Sequence, residues 1–296
     1  MATLMPELFG DRLTVSMAMS NPSYIMTRIS DVADKTLILD SFFSPYGGTV
    51  QGGAILYNVL AAKDRYLNGD VAERKEGAEY AVVEGTDPEA RLAPVRDWGG
   101  KFATSDEQIH RNDVSYLTIQ VDQLANTIAR KLNVAALATL DAELDALGGA
   151  ADIVGHNWDD VVTTGPESTL TPNRERPAAD FALAQLSADG DELGIKFDTL
   201  LVHPEQAFAL TVAYAENLTT VLNSAGLTMK SSPYITPGKA YITRSGAAGT
   251  VGFEKPLTVD VYDDRSIRSK WTQAYAVPAY AVEQPRAVRR ILGLAA

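Results

Sequence analysis

The chain has 296 residues, 46% apolar and 8% aromatic, enough to bury a sizeable core in one elaborate domain or two. Its 26 Lys and Arg stand against 38 Asp and Glu, and the net charge of −12 excludes a surface built to coat nucleic acid generally, which needs clustered cations. The absence of cysteine excludes disulfides, thiolate metal sites and cysteine nucleophiles.

Residues 1–49 read as an arm with partial helix. The opening MATLMPELFGDRLTV is acidic where a signal peptide needs a basic region and an apolar core. No window approaches the run of about 18 apolar residues that a membrane span requires, so a soluble protein made in the cytosol is expected. Within the arm, ISDVADKTLILDSFF carries Ser30 and Asp31 as possible caps and lies between the breakers Asn21-Pro22 and Ser44-Pro45.

Residues 50–105 change character. Gly47-Gly48 and Gly52-Gly53 bracket the start of the apolar run AILYNVL. A charged stretch, KDRYLNGDVAERKEG, leads into AEYAVVEG, the turn Thr86-Asp87-Pro88, then RLAPVRDW and KFATS. The short flanking runs read as strands. Charge is dense and apolar residues are few between Lys63 and Glu79, the composition of an extended hairpin projecting from the body or of an insertion without structure.

The most regular pattern follows. Leu117, Val121, Leu124, Ile128, Leu132, Ala136, Leu140, Leu144 and Leu147 recur three or four apart, with no glycine or proline between Asn112 and Leu147. That spacing predicts one helix over about 113–147, capped by Asn112 or Asp113 and stopped by Gly148-Gly149. At 1.5 Å per residue it would run roughly 50 Å, a length that suits a scaffold more than a compact catalytic domain. Residues 150–177 are rich in breakers; helix resumes near 178–186, and FDTLLV reads as a buried strand. Pro204 opens a second helix, with Phe208, Val212, Ala215, Leu218 and Leu222 as its expected apolar face. KAYITR, TVGFE, LTVDVY, IRSKWTQAYAV and AVRRIL read as strands, and the order of elements is α+β.

Chemistry is sparse along this chain. His110, His156 and His203 have no H-E-x-x-H spacing, and no G-x-S-x-G elbow occurs. The glycine-rich SGAAGTVG lacks a P-loop ending and runs into strand rather than helix, so it reads as a loop or hairpin connection. Asp159-Asp160 and Asp263-Asp264 read as solvated turn pairs, and the three tryptophans fall in three separate regions. No catalytic, cofactor-binding or metal-binding residue is expected, which favours a structural protein over an enzyme.

The layout resembles the major capsid proteins of tailed bacteriophages, whose fold encapsulin shells share. Four features carry the likeness: the arm with its charged extended loop; the junction Trp98-Gly99-Gly100-Lys101-Phe102 followed by Ser105-Asp106-Glu107; the LANTIARKLNVAAL run in the long helix; and the closing half, from FDTLLVHPEQ through PGKAYIT and EKPLTVDVYDDRSIRSKWTQAYAV to PRAVRRILGL. The resemblance implies an N-terminal arm over 1–49 and an extended β-hairpin loop over 50–105. It also implies a peripheral domain with the spine helix over 106–152 and 258–296, and an axial domain over 153–257. The implied function is self-assembly into the hexamers and pentamers of an icosahedral head shell that encloses double-stranded DNA without sequence-specific binding. The virion would be assembled in the host cytoplasm, with scaffolding, portal and decoration proteins as possible partners and no membrane or cofactor. Arg65, Arg74, Glu76 and Trp98 are the candidate intersubunit contacts. An encapsulin-type nanocompartment shell is the alternative of the same fold, and a cytosolic α+β enzyme with an unrecognised site is the alternative from another class.

Overall fold

The computed structural model describes residues 14–60, 66–85, 87–192 and 194–295, side chains of 33–36 excepted. Helix α1 (Val15–Ser20) starts at Thr14, whose hydroxyl accepts from the Met17 amide. Pro22 is the first residue of α2 (Pro22–Thr36), where its fixed φ and missing N–H suit a helix start. The expected breaker therefore opens a helix, and Ser30 and Asp31, expected as caps, lie inside it. Val15, Ala18, Met19, Ile25 and Ile29 pack on Leu117, Val121, Ala125 and Ile128 of the long helix α5 (Val114–Ala146). Arg28 clasps both carboxylate oxygens of Asp122 at 2.7 and 2.8 Å. The described part of the arm thus lies on its own spine helix; its first 13 residues fall outside the described set.

The spine matches the sequence expectation closely. Its 33 residues span about 50 Å at helical rise. The Asp113 carboxylate accepts from the Tyr116 amide at 3.0 Å, and Gly148, at φ 62°, takes the left-handed position that ends the helix. The N-terminal half of the buried stripe faces the arm. The other half, from Ala136 to Leu144, faces a second core with Phe42, Leu201, Tyr241 and Val288.

After α3 (Leu39–Phe42) and β1 (Phe43–Pro45) the chain turns at Gly52-Gly53, both at positive φ, into a hairpin of β2 (Ala54–Val59) and β3 (Glu89–Pro94). Ile55 and Ala93 face inward against Val50, Ala279 and Ala281, and Arg91 pairs with Glu143 on the spine. Residues 66–85, which include AEYAVVEG, form no strand beyond one bridge between Asn68 and Glu84. A two-stranded ribbon buries too little to order its far end as sheet. Thr86 of the expected turn lies outside the described residues.

Two sheets complete the fold. The four-stranded one has the order β1-β9-β10-β4, with β4 (Trp98–Ser105), β9 (Gly249–Asp264) and β10 (Ser269–Ala281) antiparallel. TVGFE and LTVDVY, expected as separate pieces, form one 16-residue strand. Pro256 and Pro278, which cannot donate to the ladder, sit where the register shifts between Tyr275 and Pro278. Ser105 and Gln108 form a capping box that opens α4 (Asp106–His110).

The five-stranded sheet has the order β5-β11-β8-β6-β7, from β5 (Asp152–Val154), β6 (Thr199–Val202), β7 (Thr228–Ser231), β8 (Lys239–Thr243) and β11 (Val288–Leu292). Leu200, Val202, Ala240, Ile242 and Ile291 face α6 (Pro177–Gly190), α7 (Pro204–Tyr214) and α8 (Leu218–Ser224). Leu201, Tyr241 and Val288 face the spine. Position 257–258 falls inside β9, and β11 pairs with β8 and β5 in this sheet.

Strand alternation aims two adjacent arginines of β11 at opposite layers. Arg289 reaches the end of α6, bonding Ser187 and Asp191. Arg290 reaches the spine and β5, bonding Asp145 at 2.7 Å, Asp152 at 2.7 and 2.9 Å, and Asp141 at 3.3 Å. The bonds to Asp152 above all push the Arg290 pKa up, whereas burial pulls that of Arg289 down against the pull of Asp191.

Replacing Arg290 by Met strands Asp141 and Asp152 without their cation and should cost about 3–5 kcal/mol in a chemical-denaturation titration, the penalty for breaking a buried ion pair. Arg28 hydrogen bonding holds the Asp122 carboxyl below the usual carboxylate range. A carboxylate with a depressed folded pKa stabilises above its unfolded value and loses that effect as pH falls through the folded one. The arm should stay docked at neutral pH and loosen below about pH 4; amide-exchange protection over α2 checks this, with Arg28→Gln removing the dependence.

Candidate assembly surfaces

The hairpin buries only one of its two faces. Ile55 and Ala93 point inward, so Leu56 and Leu92, directly opposite each other in register, point out at 68% and 67% exposure. Single exposed leucines are ordinary, but a cross-strand pair, with Leu60, Leu67, Val71 and Val82 also exposed in the same hairpin, is apolar surface of the kind that contacts another molecule.

The four candidates from the sequence divide. Arg65 lies outside the described residues. Arg74 and Glu76 share the exposed loop: the Arg74 guanidinium donates to the Ala78 carbonyl at 2.9 Å and lies 5.0 Å from the centre of the Tyr80 ring. Trp98 is elsewhere, half-buried at the start of β4 with Phe102 and Leu257, its indole N–H buried without a partner among the described residues. Tyr66 bonds Glu192 beyond α6.

A second surface corrects the expected face of the helix after Pro204. Its buried side chains are Gln206, Ala209, Leu210, Ala213 and Tyr214, while Phe208 and Val212 stand 70% and 64% exposed. PEQAFALTVAY is apolar on nearly every side, so periodicity had no polar face to set against the buried one. The expected single helix also breaks: Ala215 at φ 46° turns the chain, and α8 restarts at Leu218, leaving Leu222 buried. On α6, Leu183 and Leu186 are exposed as well. Sequence reading missed both surfaces; in β2 and β3 the signal was a leucine on each side of the alternation.

The remaining polar groups are structural. Asp180, fully buried on α6, accepts from the Trp158 indole at 2.8 Å and the His156 amide at 3.2 Å, and lies 2.7 Å from His156 Nδ1. His203 caps α7 by accepting from the Glu205 amide. Asp263 pairs with Arg265 and Lys270, and Asp264 accepts from Trp271. No group of three or more metal-ligating side chains occurs among the described residues, and no described helix is long and apolar enough to cross a membrane.

A family model described as phage capsid protein matches residues 88–291, from the return strand of the hairpin to the last strand of the five-stranded sheet. The chain belongs to the phage capsid protein family. Solved structures share the fold at low identity. A virus-like particle from Pyrococcus furiosus superposes with a TM-score of 0.63 at 13% identity, covering 91% of this chain and 98% of that one. A chain of Mycobacterium phage Bobi gives 0.61 at 13%, covering 87% and 90%, and the capsid of cyanophage P-SCSP1u gives 0.57 at 11%, covering 88% and 89%. No curated protein matches the sequence. As a phage capsid protein the chain is a structural component of the virion shell and not an enzyme, so the alternative of a cytosolic enzyme falls away.

The two sides of α7 should respond differently to substitution. Phe208→Ser should shift unfolding of the unassembled subunit by no more than about 0.5 kcal/mol, the usual range for exposed sites. Leu210→Ala, on the buried side, should cost about 2–5 kcal/mol. Chemical denaturation of both variants checks the assignment.

Proposed function

We propose that this capsid protein is the major shell subunit of a tailed phage, assembling in the host cytoplasm into hexamers and pentamers that close around double-stranded DNA. The observation that carries the reading is apolar surface left exposed on a folded body: the Leu56–Leu92 pair on the hairpin and Phe208–Val212 on α7. Different patches offered to successive neighbours make a heterologous contact, which closes into a ring when its rotation allows. The net charge of −12 suits a wall that holds packaged DNA without gripping it.

In this reading residues 1–49 are the arm and 50–105 the extended loop. Residues 106–152 with 258–296 form the peripheral domain, and 153–257 the axial domain. Arg65, Arg74, Glu76 and Trp98 lie at or near contacts between subunits, and scaffolding, portal and decoration proteins are the further partners. A nanocompartment shell that holds no genome is the second reading, favoured by the likeness to the Pyrococcus furiosus virus-like particle.

Negative-stain electron microscopy of the purified protein should show uniform shells or five- and six-fold rings, and nucleic acid inside them separates the first reading from the second. Deleting residues 66–85 should abolish those assemblies while circular dichroism still reports a folded subunit. Shells retained by the deletion would remove the loop from the interface, and a wild-type monomer that never assembles, even with crowding agent, would overturn the shell reading.

A further inference from the structure

Among the described arginines that are not fully exposed, pairing follows a rule with one exception. The described arginines that are partly or fully buried are Arg28, Arg91, Arg176, Arg286, Arg289 and Arg290. Five of them close on carboxylates: Arg28 on Asp122, Arg91 on Glu143, Arg286 and Arg289 on Asp191, and Arg290 on three aspartates. Arg176 closes on none among the described residues. Its Nε donates to the Thr171 carbonyl at 2.9 Å, which fixes the guanidinium and leaves its terminal nitrogens for another acceptor.

The surroundings of Arg176 form a site. It lines a cavity of about 410 Å³ at the break between α7 and α8, with Thr164, Val212, Tyr214, Glu216 and Asn217. Ala215, at φ 46° and ψ −122°, opens that cavity; a non-glycine residue held there costs on the order of 1–3 kcal/mol, strain that persists only where the surroundings impose it. Thr164 and Asn217 are exposed and carry a hydroxyl and an amide, groups suited to hydrogen-bond an anion beside the arginine. Glu216 also lines the cavity but makes no ion pair with Arg176.

We infer that the Arg176 cavity takes a carboxylate side chain from a neighbouring copy of this chain, completing across the subunit boundary the pairing that the other buried arginines complete within it. The inference rests on the shell reading above. A second copy fits better than a free anion because the cavity is continuous with apolar surface. Val212 lines it, and Phe208 stands one turn earlier on the same exposed side of α7. A small anion leaves that strip wet, whereas a packed neighbour covers strip and cavity together. Among 38 acidic residues the chain has abundant carboxylate acceptors for the contact. Arginine's planar fork makes such a contact geometrically selective as well as attractive.

The test compares unassembled subunits of wild type, Arg176→Gln and Arg176→Lys by thermal melting, then assembles them and follows light scattering and negative-stain images. Arg176→Gln should melt like wild type yet assemble at least about tenfold less well, the effect of roughly 1.4 kcal/mol per contact, with Arg176→Lys between them. A cryo-electron-microscopy map of the wild-type shell should place an Asp or Glu of the next copy within about 4 Å of the guanidinium. Arg176→Gln shells formed at the wild-type rate, or an Arg176 facing solvent in the shell, would overturn the assignment. Inorganic phosphate that raises the melting temperature of wild type but not of Arg176→Gln would give the cavity to a free anion and overturn it too. Wild-type shells with an unaffected Arg176→Gln remove this inference alone; a wild type that never assembles removes the shell reading together with it.

Discussion

The Arg290 guanidinium holds the molecule's layers in register. It stands on the second strand of a five-stranded sheet and binds two aspartates of the spine and one of the neighbouring strand, while Tyr241 donates to Asp141 from the adjacent strand at 2.8 Å. Burial and the nearby Asp141 carboxylate push the Tyr241 phenol well up, so it stays a donor. One residue earlier, Arg289 reaches the opposite layer. The period-2 geometry of a strand therefore fastens spine, sheet and α6 through a single dipeptide, and neither arginine can shift without exposing a buried charge.

From that joint the spine extends to a second core, where α1, α2 and the four-stranded sheet pack on its N-terminal half. A continuous helix is stiff, so the two cores along the spine keep a fixed separation. Closed shells need that property, since small errors of angle accumulate from subunit to subunit. The hairpin is rooted by Ile55 and Ala93, braced by Arg91 on Glu143, and tied back to the body by the Tyr66 bond to Glu192. Such a capsid subunit leaves apolar side chains exposed on α7 and the hairpin, and one half-buried guanidinium, that of Arg176, without a carboxylate among the described residues.

Several parts were legible in the sequence because they depend on local periodicity. The spine emerged with caps in place, since 33 residues of consistent spacing and two terminal glycines leave one arrangement open. The strand after residue 196 and the helix start at Pro204 followed from composition and from proline's fixed φ. Other parts were misjudged where local pattern is degenerate. Asn21-Pro22 serves as a breaker or a helix start, and the arm packing on the spine decides for the start. AEYAVVEG has strand composition but finds no partner strand.

The candidate surfaces were less legible than the fold. The charged loop was visible, yet its apolar pair Leu56–Leu92 was not, because inward and outward are defined only once β2 and β3 lie against Ala279 and Ala281. The face of α7 could not be chosen from a helix apolar all round, and Arg290 could not be seen as a joint because its aspartates lie 138 to 149 residues away. The sequence by itself determined the element order, the spine, the acidic balance and the absence of cysteine chemistry, since these are properties of composition and short-range spacing. Only the tertiary structure decided which faces are buried, and which of the described arginines that are at least half-buried finds no carboxylate, because pairing and burial depend on what the folded chain brings together across long sequence separations.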